Sequence, residues 1–151
     1  MLLWRLARAR HSELDGEGAR RRGARWNPRG MAVVYAASTL SLAALEVLVH
    51  TDERDAPDDL MATPIEVPDE LLREELSASS LLRNWRQTPA PERLQAVGFE
   101  WKKRGKTAVL SVPSVVVPTE RNWLLDPDHR DFKKIIARKP HTFHFDPRLW
   151  K

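Results

Sequence analysis

Hydrophobic and polar positions along the chain predict strands towards both ends and helices in the middle. The first segment, LLWRLAR at 2–8, alternates as a half-buried strand does, and MAVVYAA at 31–37 is a short β-rich run. The strongest strand pattern is TAVLSVPSVVV at 107–117, which Pro113 is expected to break. This order predicts an α+β fold, a single compact mixed domain over residues 1–151, and not a regular wound βαβ sheet.

Turn residues and helical spacing predict the remaining elements. Ser38 or Thr39 is expected to cap a helix at 40–50, and Pro64 predicts an edge or irregular strand at 60–68 because proline lacks a backbone donor. The other predicted elements are a Gly- and Arg-rich loop at 11–30, short helices starting at Pro68 and at 81–87, a helix at 91–103, a strand ending at the Asp126-Pro127 turn, and one or two closing strands.

One carboxylate, Glu46, lies inside the apolar helix predicted at 40–50. The helix is apolar on nearly all sides, which predicts that its surroundings bury it. An isolated ionised carboxylate in an apolar interior costs several kcal/mol. Glu46 is therefore expected to form a structural ion pair with one of the many arginines, to face a cleft, to be neutral, or to reach water at the helix edge.

Composition narrows the classes of protein. The chain has 151 residues, enough for one domain, and contains no cysteine. This excludes disulfide frameworks, cysteine zinc sites and thiol catalysis, and it agrees with a reducing compartment. No apolar run approaches the ~20 residues of a membrane helix, and the start lacks a signal-peptide pattern. We expect a cytoplasmic protein with no membrane association.

The net charge of +4 is distributed unevenly. Arginines are concentrated in the first thirty residues, residues 52–75 are mostly acidic, and lysines cluster at 102–106. A basic region favours an anionic partner, either a nucleic acid or a phosphate-bearing small molecule, although such clusters are also typical of solvated surfaces.

Several common catalytic patterns are absent from the sequence. It has no Gly-rich phosphate loop, no HExxH metal motif and no GxSxG elbow. His141 and His144 are expected to point to opposite faces of a strand, so no metal site is predicted. Arg25 carries a planar fork that suits phosphate or carboxylate oxygens, and Tyr35 suits either ring stacking or a place in the core.

Two blocks of sequence carry a family resemblance. GARWNPRGMAVVYAASTLSLAALEVLVH, at 23–50, joins a G-x-R-W-N-P-x-G loop to a tyrosine strand and an A-L-E-V helix. VPSVVVPTERNWLLDPDH, at 112–129, is similar to a second block, in which Asp126 stands where the family often has asparagine. With WRL near the start, the chain resembles the RES domain family, toxins of bacterial pairs with Xre-like antitoxins.

The resemblance implies a fold like that of ADP-ribosyltransferases and an activity towards NAD⁺. Family members destroy NAD⁺ by hydrolysis or phosphorolysis at the nicotinamide–ribose bond, and some modify a protein with ADP-ribose instead. NAD⁺ would be the substrate, with no further cofactor and no metal. The implied partner is an Xre-like antitoxin that blocks the active-site cleft, so that nucleic acid is contacted only indirectly, through the antitoxin.

The resemblance also implies residue roles. Glu46 would stabilise the ribose cation, Arg25 would bind the pyrophosphate, and Tyr35 would stack on nicotinamide. Ser114 would hydrogen-bond the nicotinamide amide or a ribose hydroxyl. The secondary candidates for substrate binding are Arg5 and Asn122.

Two other classes of function compete with this interpretation. The basic start, the lysine cluster and six tryptophans favour a nucleic-acid-binding protein or an RNase toxin, although the aromatic residues are scattered and form no evident stacking platform. The third class is a non-catalytic interaction protein, in which Glu46, paired with Arg5 or another arginine, is structural.

Overall fold

A mixed β-sheet forms the centre of the computed structural model, which describes residues 1–52 and 56–150. The strands are β1 (Leu2–Arg8), β2 (Val34–Ala37), β3 (Leu60–Glu66), β4 (Arg73–Glu75), β5 (Val109–Pro113), β6 (Arg121–Leu125), β7 (Ile136–Ala137) and β8 (His141–Phe143). The helices are α1 (Glu17–Arg22), α2 (Leu40–Leu48) and α3 (Glu92–Arg104). The predicted α+β class and single mixed domain are confirmed.

Strand pairing gives the order β4-β5-β6-β2-β1-β3-β7, with β8 also pairing with β3. Strands β4 and β5 are parallel, and the other described pairs are antiparallel. The β1–β2 register consists of one pair, Trp4 opposite Ala37, whereas β1 and β3 pair along their whole length. The sheet therefore opens between β1 and β2 beyond that pair.

Two groups of apolar side chains cover one face of this sheet. Helix α2 packs Leu42 and Ala43 against the face at β1 and β2. Further along the same face, Trp26 and α3 pack against β5 and β6 through Leu94 and Trp101. Tyr35 and Asn122 lie in the gap between these groups. Their side chains point to this face of the sheet, as do those of the residues paired with them across β2 and β6. Another cluster, including Leu3, Ile65 and Leu125, forms the core of the opposite face.

Helix α2 begins as predicted but is less buried than predicted. Thr39 is its N-cap, since the Thr39 hydroxyl accepts a bond from the Leu42 amide at 3.0 Å. Leu45 and Val49 remain 38% and 55% exposed, so the expectation of burial on nearly all sides is wrong. The helix covers the sheet with one stripe, and apolar residues on its outer side are left in contact with solvent.

The structure differs from three local predictions, two of them because of strand pairing. Strand β3 is internal and not an edge strand, because β7 pairs with Ile65 and Glu66 while β8 pairs with Leu60–Ala62. Pro64 lies between those two registers, where no ladder donor is required of it. The helix predicted from Pro68 is instead a turn followed by β4, which adds to β5, and residues 81–87 form turns.

The second half of the chain follows the sequence more closely. Helix α3 and strand β6 lie where predicted, and β5 ends at Pro113. Asp126 accepts a bond from the Asp128 amide at 3.0 Å, so the expected turn cap is present. The Lys102 Nζ atom lies 2.6 Å from the same carboxylate oxygen and balances the negative charge of Asp126. Within the two described ranges, no helix is long and apolar enough to cross a membrane.

Candidate active site

The loop that precedes β2 is fixed by Asn27, which is 0% exposed. Its amide nitrogen donates to the carbonyls of Ala19, Pro28 and Met31 at 3.0–3.1 Å, and its oxygen accepts from the Tyr35 hydroxyl at 2.7 Å. The Trp26 amide donates to the same hydroxyl at 3.3 Å. These bonds hold the Arg25-Trp26 segment against β2. Sequence reasoning assigned no role to Asn27, although the R-W-N-P motif contains it.

Helix α3 presses closely on this loop. A Cβ atom at Gly98 would lie 1.8 Å from the Trp26 carbonyl oxygen, so no larger residue fits there without moving the loop. Gln95 of the same helix donates to the Ala24 carbonyl at 3.0 Å. The position of Arg25 is therefore determined by contacts on both sides of its loop.

Glu46 projects from α2 and is held through one of its two oxygens. Ser114 donates to Glu46 Oε1 at 2.7 Å, and Asn122 donates to the same atom at 2.6 Å. In the part of the chain that the structure describes, no group donates to Oε2 and no cation pairs with this carboxylate. The hypothesis of a structural ion pair is not supported, since neutral donors hold Glu46. Its second oxygen remains available for a ligand.

Ser114 is 0% exposed and connects Glu46 to the turn after β5. Besides donating to Glu46, its hydroxyl accepts bonds from the amides of Val116 and Val117 at 3.1 and 3.0 Å. Because the hydroxyl oxygen accepts these two bonds, its hydrogen points towards the Glu46 carboxylate. The direct bond from Ser114 to a substrate, which the resemblance implies, stays a prediction.

Arg25 offers a free edge to the site. Its Nη1 donates to the carbonyls of Trp85 and Gln87 at 2.7 and 3.2 Å, and Nη2 donates to Gln87 at 3.2 Å. A guanidinium has five N–H donors, so Nε–H and one Nη2–H have no acceptor among the described residues. Burial lowers the pKa of Arg25, and the negative charge of Glu46 opposes that shift, which places the two groups within electrostatic reach.

Arg5 occupies the opening between β1 and β2. It donates to the Tyr35 carbonyl at 3.2 Å and to the His11 carbonyl at 3.0 Å, so it takes the place of a missing ladder bond. Its Nε is buried and has no protein partner within residues 1–52 and 56–150. Burial lowers the pKa of Arg5, and the charge of Asp15 opposes the shift.

A cleft of about 150 Å³ lies beside Glu46, and neither Arg25 nor Ser114 is among the residues that line it. Its walls include Trp4, Arg5, Tyr35, Glu46 and Asn122. A cavity of this size holds roughly one small ring. Burial raises the pKa of Tyr35, so its phenol stays neutral, and it presents a ring wall while the hydroxyl holds the loop. The described residues include no group of three or more potential metal ligands.

Comparison with known proteins identifies the family. The RES domain model matches residues 2–146, and the chain therefore belongs to the RES domain family. It is 43% identical to a Prs ADP-ribosylating toxin of Sphingobium sp. strain YBL2, over 97% of this chain and 94% of the relative. It is 39% identical to Toxin Res of Yersinia enterocolitica, over 99% of both chains.

A solved structure shares the fold. The chain resembles, with a TM-score of 0.73 and 21% identity, a protein in the crystal structure of the M. tuberculosis MbcT-MbcA toxin-antitoxin complex. The match covers 99% of this chain and 86% of that one. The likeness at this identity concerns the fold.

Proposed function

We propose that this chain is the toxin of a toxin–antitoxin pair and that it cleaves NAD⁺ at the nicotinamide–ribose bond. The observation that carries the proposal is the Glu46 carboxylate. Two neutral donors hold one of its oxygens, and the other is free beside a ring-sized cleft. Membership of the RES family and the relatives named Toxin Res support it.

The chemistry matches a carboxylate without a general acid. In NAD⁺ the nicotinamide nitrogen carries a positive charge, so the C1′–N bond breaks with its electron pair going to the ring, which leaves neutral. The ribose then develops oxocarbenium character, as a sugar does in glycoside cleavage. Glu46 Oε2 stabilises that charge and accepts a ribose hydroxyl proton in a hydrogen bond. A water oxygen that bonds to C1′ releases one proton to solvent.

The other side chains either bind the substrate or position Glu46. Arg25 binds a phosphate through its free Nε–Nη2 edge, and the Tyr35 ring contacts nicotinamide. Ser114 and Asn122 act as positioning residues, because both donate to Glu46. Arg5 lines the cleft and contacts the bound substrate there.

The acceptor of ADP-ribose distinguishes two versions of this function. Water or phosphate gives NAD⁺ hydrolysis or phosphorolysis, which is the first proposal, with NAD⁺ consumed as substrate and no cofactor. Transfer to a protein is the second candidate, favoured by the 43% identity to a Prs ADP-ribosylating toxin. Purified protein should be incubated with NAD⁺, with and without phosphate, and the products identified by mass spectrometry.

Each product of that incubation supports one version. Free ADP-ribose indicates hydrolysis, and phosphorylated ADP-ribose indicates phosphorolysis. If labelled ADP-ribose passes from NAD⁺ to a protein in a cell extract and no free ADP-ribose forms, the second candidate is supported. Absence of nicotinamide release under all three conditions would refute both versions.

The proposed biological setting is a cytoplasmic toxin controlled by an Xre-like antitoxin. Its likeness to a chain from a toxin–antitoxin complex supports a protein partner. A segment of the antitoxin would cover the cleft near Arg25, and nucleic acid would be bound only through the antitoxin. Induced expression should arrest growth while cellular NAD⁺ falls, and Glu46→Gln should remove both effects. Arrest with intact NAD⁺ would instead favour modification of a protein.

A further inference from the structure

The turn at residues 84–87 contacts the guanidinium of Arg25. Its backbone is closed by a bond from the Gln87 amide to the Asn84 carbonyl at 2.9 Å, and the buried Trp85 side chain packs in the cluster that contains Trp26. The carbonyls of Trp85 and Gln87 hold the guanidinium of Arg25. The residue between them, Arg86, is thus placed beside the cation that binds substrate in the proposed function.

The Arg86 side chain contacts the loop that follows β5. Its Nη2 donates to the Val115 carbonyl at 3.3 Å. Val115 follows Ser114, which donates to Glu46. Arg86 is exposed and forms no ion pair within residues 1–52 and 56–150. Most of its donors therefore face solvent.

The size of the cleft shows why a second cation is needed there. Its volume of about 150 Å³ holds roughly one ring, so the remainder of a dinucleotide must lie outside, across the rim. A pyrophosphate carries two negative charges. Arg25 has one free guanidinium edge, which matches the oxygens of one phosphate.

We propose that Arg86 is a second substrate-binding residue that contacts the phosphate of NAD⁺ not bound by Arg25. This inference rests on the proposed function, because it assigns a further contact to the same substrate. The competing role for Arg86 is a structural one, in which its bond to Val115 merely attaches the turn to the loop after β5.

The experiment distinguishes a role for the positive charge of Arg86 from a structural role for its bond to Val115. Nicotinamide release is measured over a range of NAD⁺ concentrations for wild type, Arg86→Ala, Arg86→Gln and Arg86→Lys. Glutamine keeps an N–H donor but loses the charge, whereas lysine keeps the charge but loses the fork. The matched control is Arg83→Ala, since Arg83 is exposed in the same segment.

If Arg86 binds phosphate, both the alanine and glutamine variants raise KM about tenfold and leave kcat within about twofold of wild type. Lysine restores part of the difference, and Arg83→Ala behaves as wild type. Calorimetric NAD⁺ binding to the same Arg86 variants in a Glu46→Gln background shows the tenfold change without turnover.

An active wild type with an unchanged KM and Kd in Arg86→Gln overturns this inference alone and leaves the proposed function standing. Lower kcat in Arg86→Ala that glutamine restores also overturns it, in favour of the structural role. A folded wild type that neither binds nor cleaves NAD⁺ overturns the inference together with the proposed function.

Discussion

Asn122 provides the sharpest test of how Glu46 is positioned. Its side-chain nitrogen lies 2.6 Å from Glu46 Oε1, and Ser114 donates to the same oxygen. Asn122→Ala removes one of these two donors and leaves the carboxylate free to rotate about its remaining bond. Asn122 is half-buried on β6, so a truncated side chain can be accommodated by water.

The size of the effect follows from the kind of bond. A hydrogen bond to a charged group contributes about 1.5–3 kcal/mol. If that energy keeps Oε2 directed at the ribose in the transition state, its loss lowers kcat about 10- to 100-fold, since about 1.4 kcal/mol corresponds to a factor of ten. KM should stay near the wild-type value, because substrate binding does not require the fixed carboxylate.

Steady-state nicotinamide release by Asn122→Ala measures both constants, and thermal unfolding confirms that the fold is intact. A folded Asn122→Ala with wild-type kcat would refute the positioning role. A raised KM with unchanged kcat would instead show that Asn122 binds substrate directly.

Three further predictions concern the groups around the site. Ser114→Ala should lower the free energy of unfolding by about 1–3 kcal/mol and also lower kcat, because it leaves two amides without an acceptor and removes one of the two donors to Glu46 Oε1; denaturant unfolding with activity at saturating NAD⁺ checks both, and an unchanged kcat would contradict the link to Glu46. Tyr35 is the sole tyrosine, so alkaline tyrosinate absorbance reports on it alone. Because its pKa is raised in the folded protein, its contribution to stability should be fully present below pH 10.0, the ordinary pKa, and should be lost as the pH rises further. Tyr35→Phe should reduce that alkaline loss, and a titration at the ordinary pKa in the folded protein would be inconsistent with the buried hydroxyl. Asp126→Ala should destabilise the protein by about 1–3 kcal/mol, and by more than Asp126→Asn does. Both variants lose the charge opposite Lys102, but asparagine keeps the bond from the Asp128 amide. Equal unfolding midpoints for the two variants would show that this turn bond contributes nothing.

Local pattern was sufficient for elements whose neighbours agree with it. The alternation of β1, the Thr39 cap of α2 and the spacing of α3 each predicted the observed structure. The helix expected from Pro68 was wrong, because a parallel pairing with β5 outweighs the helical propensity of residues 73–75. Pairing of this kind depends on distant residues and leaves no local pattern.

The candidate site shows the same division. The resemblance pointed to Arg25, Tyr35, Glu46 and Ser114, and the structure brings their elements around one cleft or its rim. The direction of each bond could not be predicted from sequence, because it depends on how β5, β6 and α2 meet. Asn27 and Arg86 lacked any distinguishing pattern, since asparagine in a turn and arginine in a basic chain are common.

The measurement that tests the central claim most directly compares wild type with Glu46→Gln. Both proteins are supplied with NAD⁺ in the presence of phosphate and cell extract, so that every candidate acceptor is available, and nicotinamide release and NAD⁺ binding are measured together. Wild type should release nicotinamide, and the folded variant should bind NAD⁺ and release none. Release by Glu46→Gln at the wild-type rate would contradict the account.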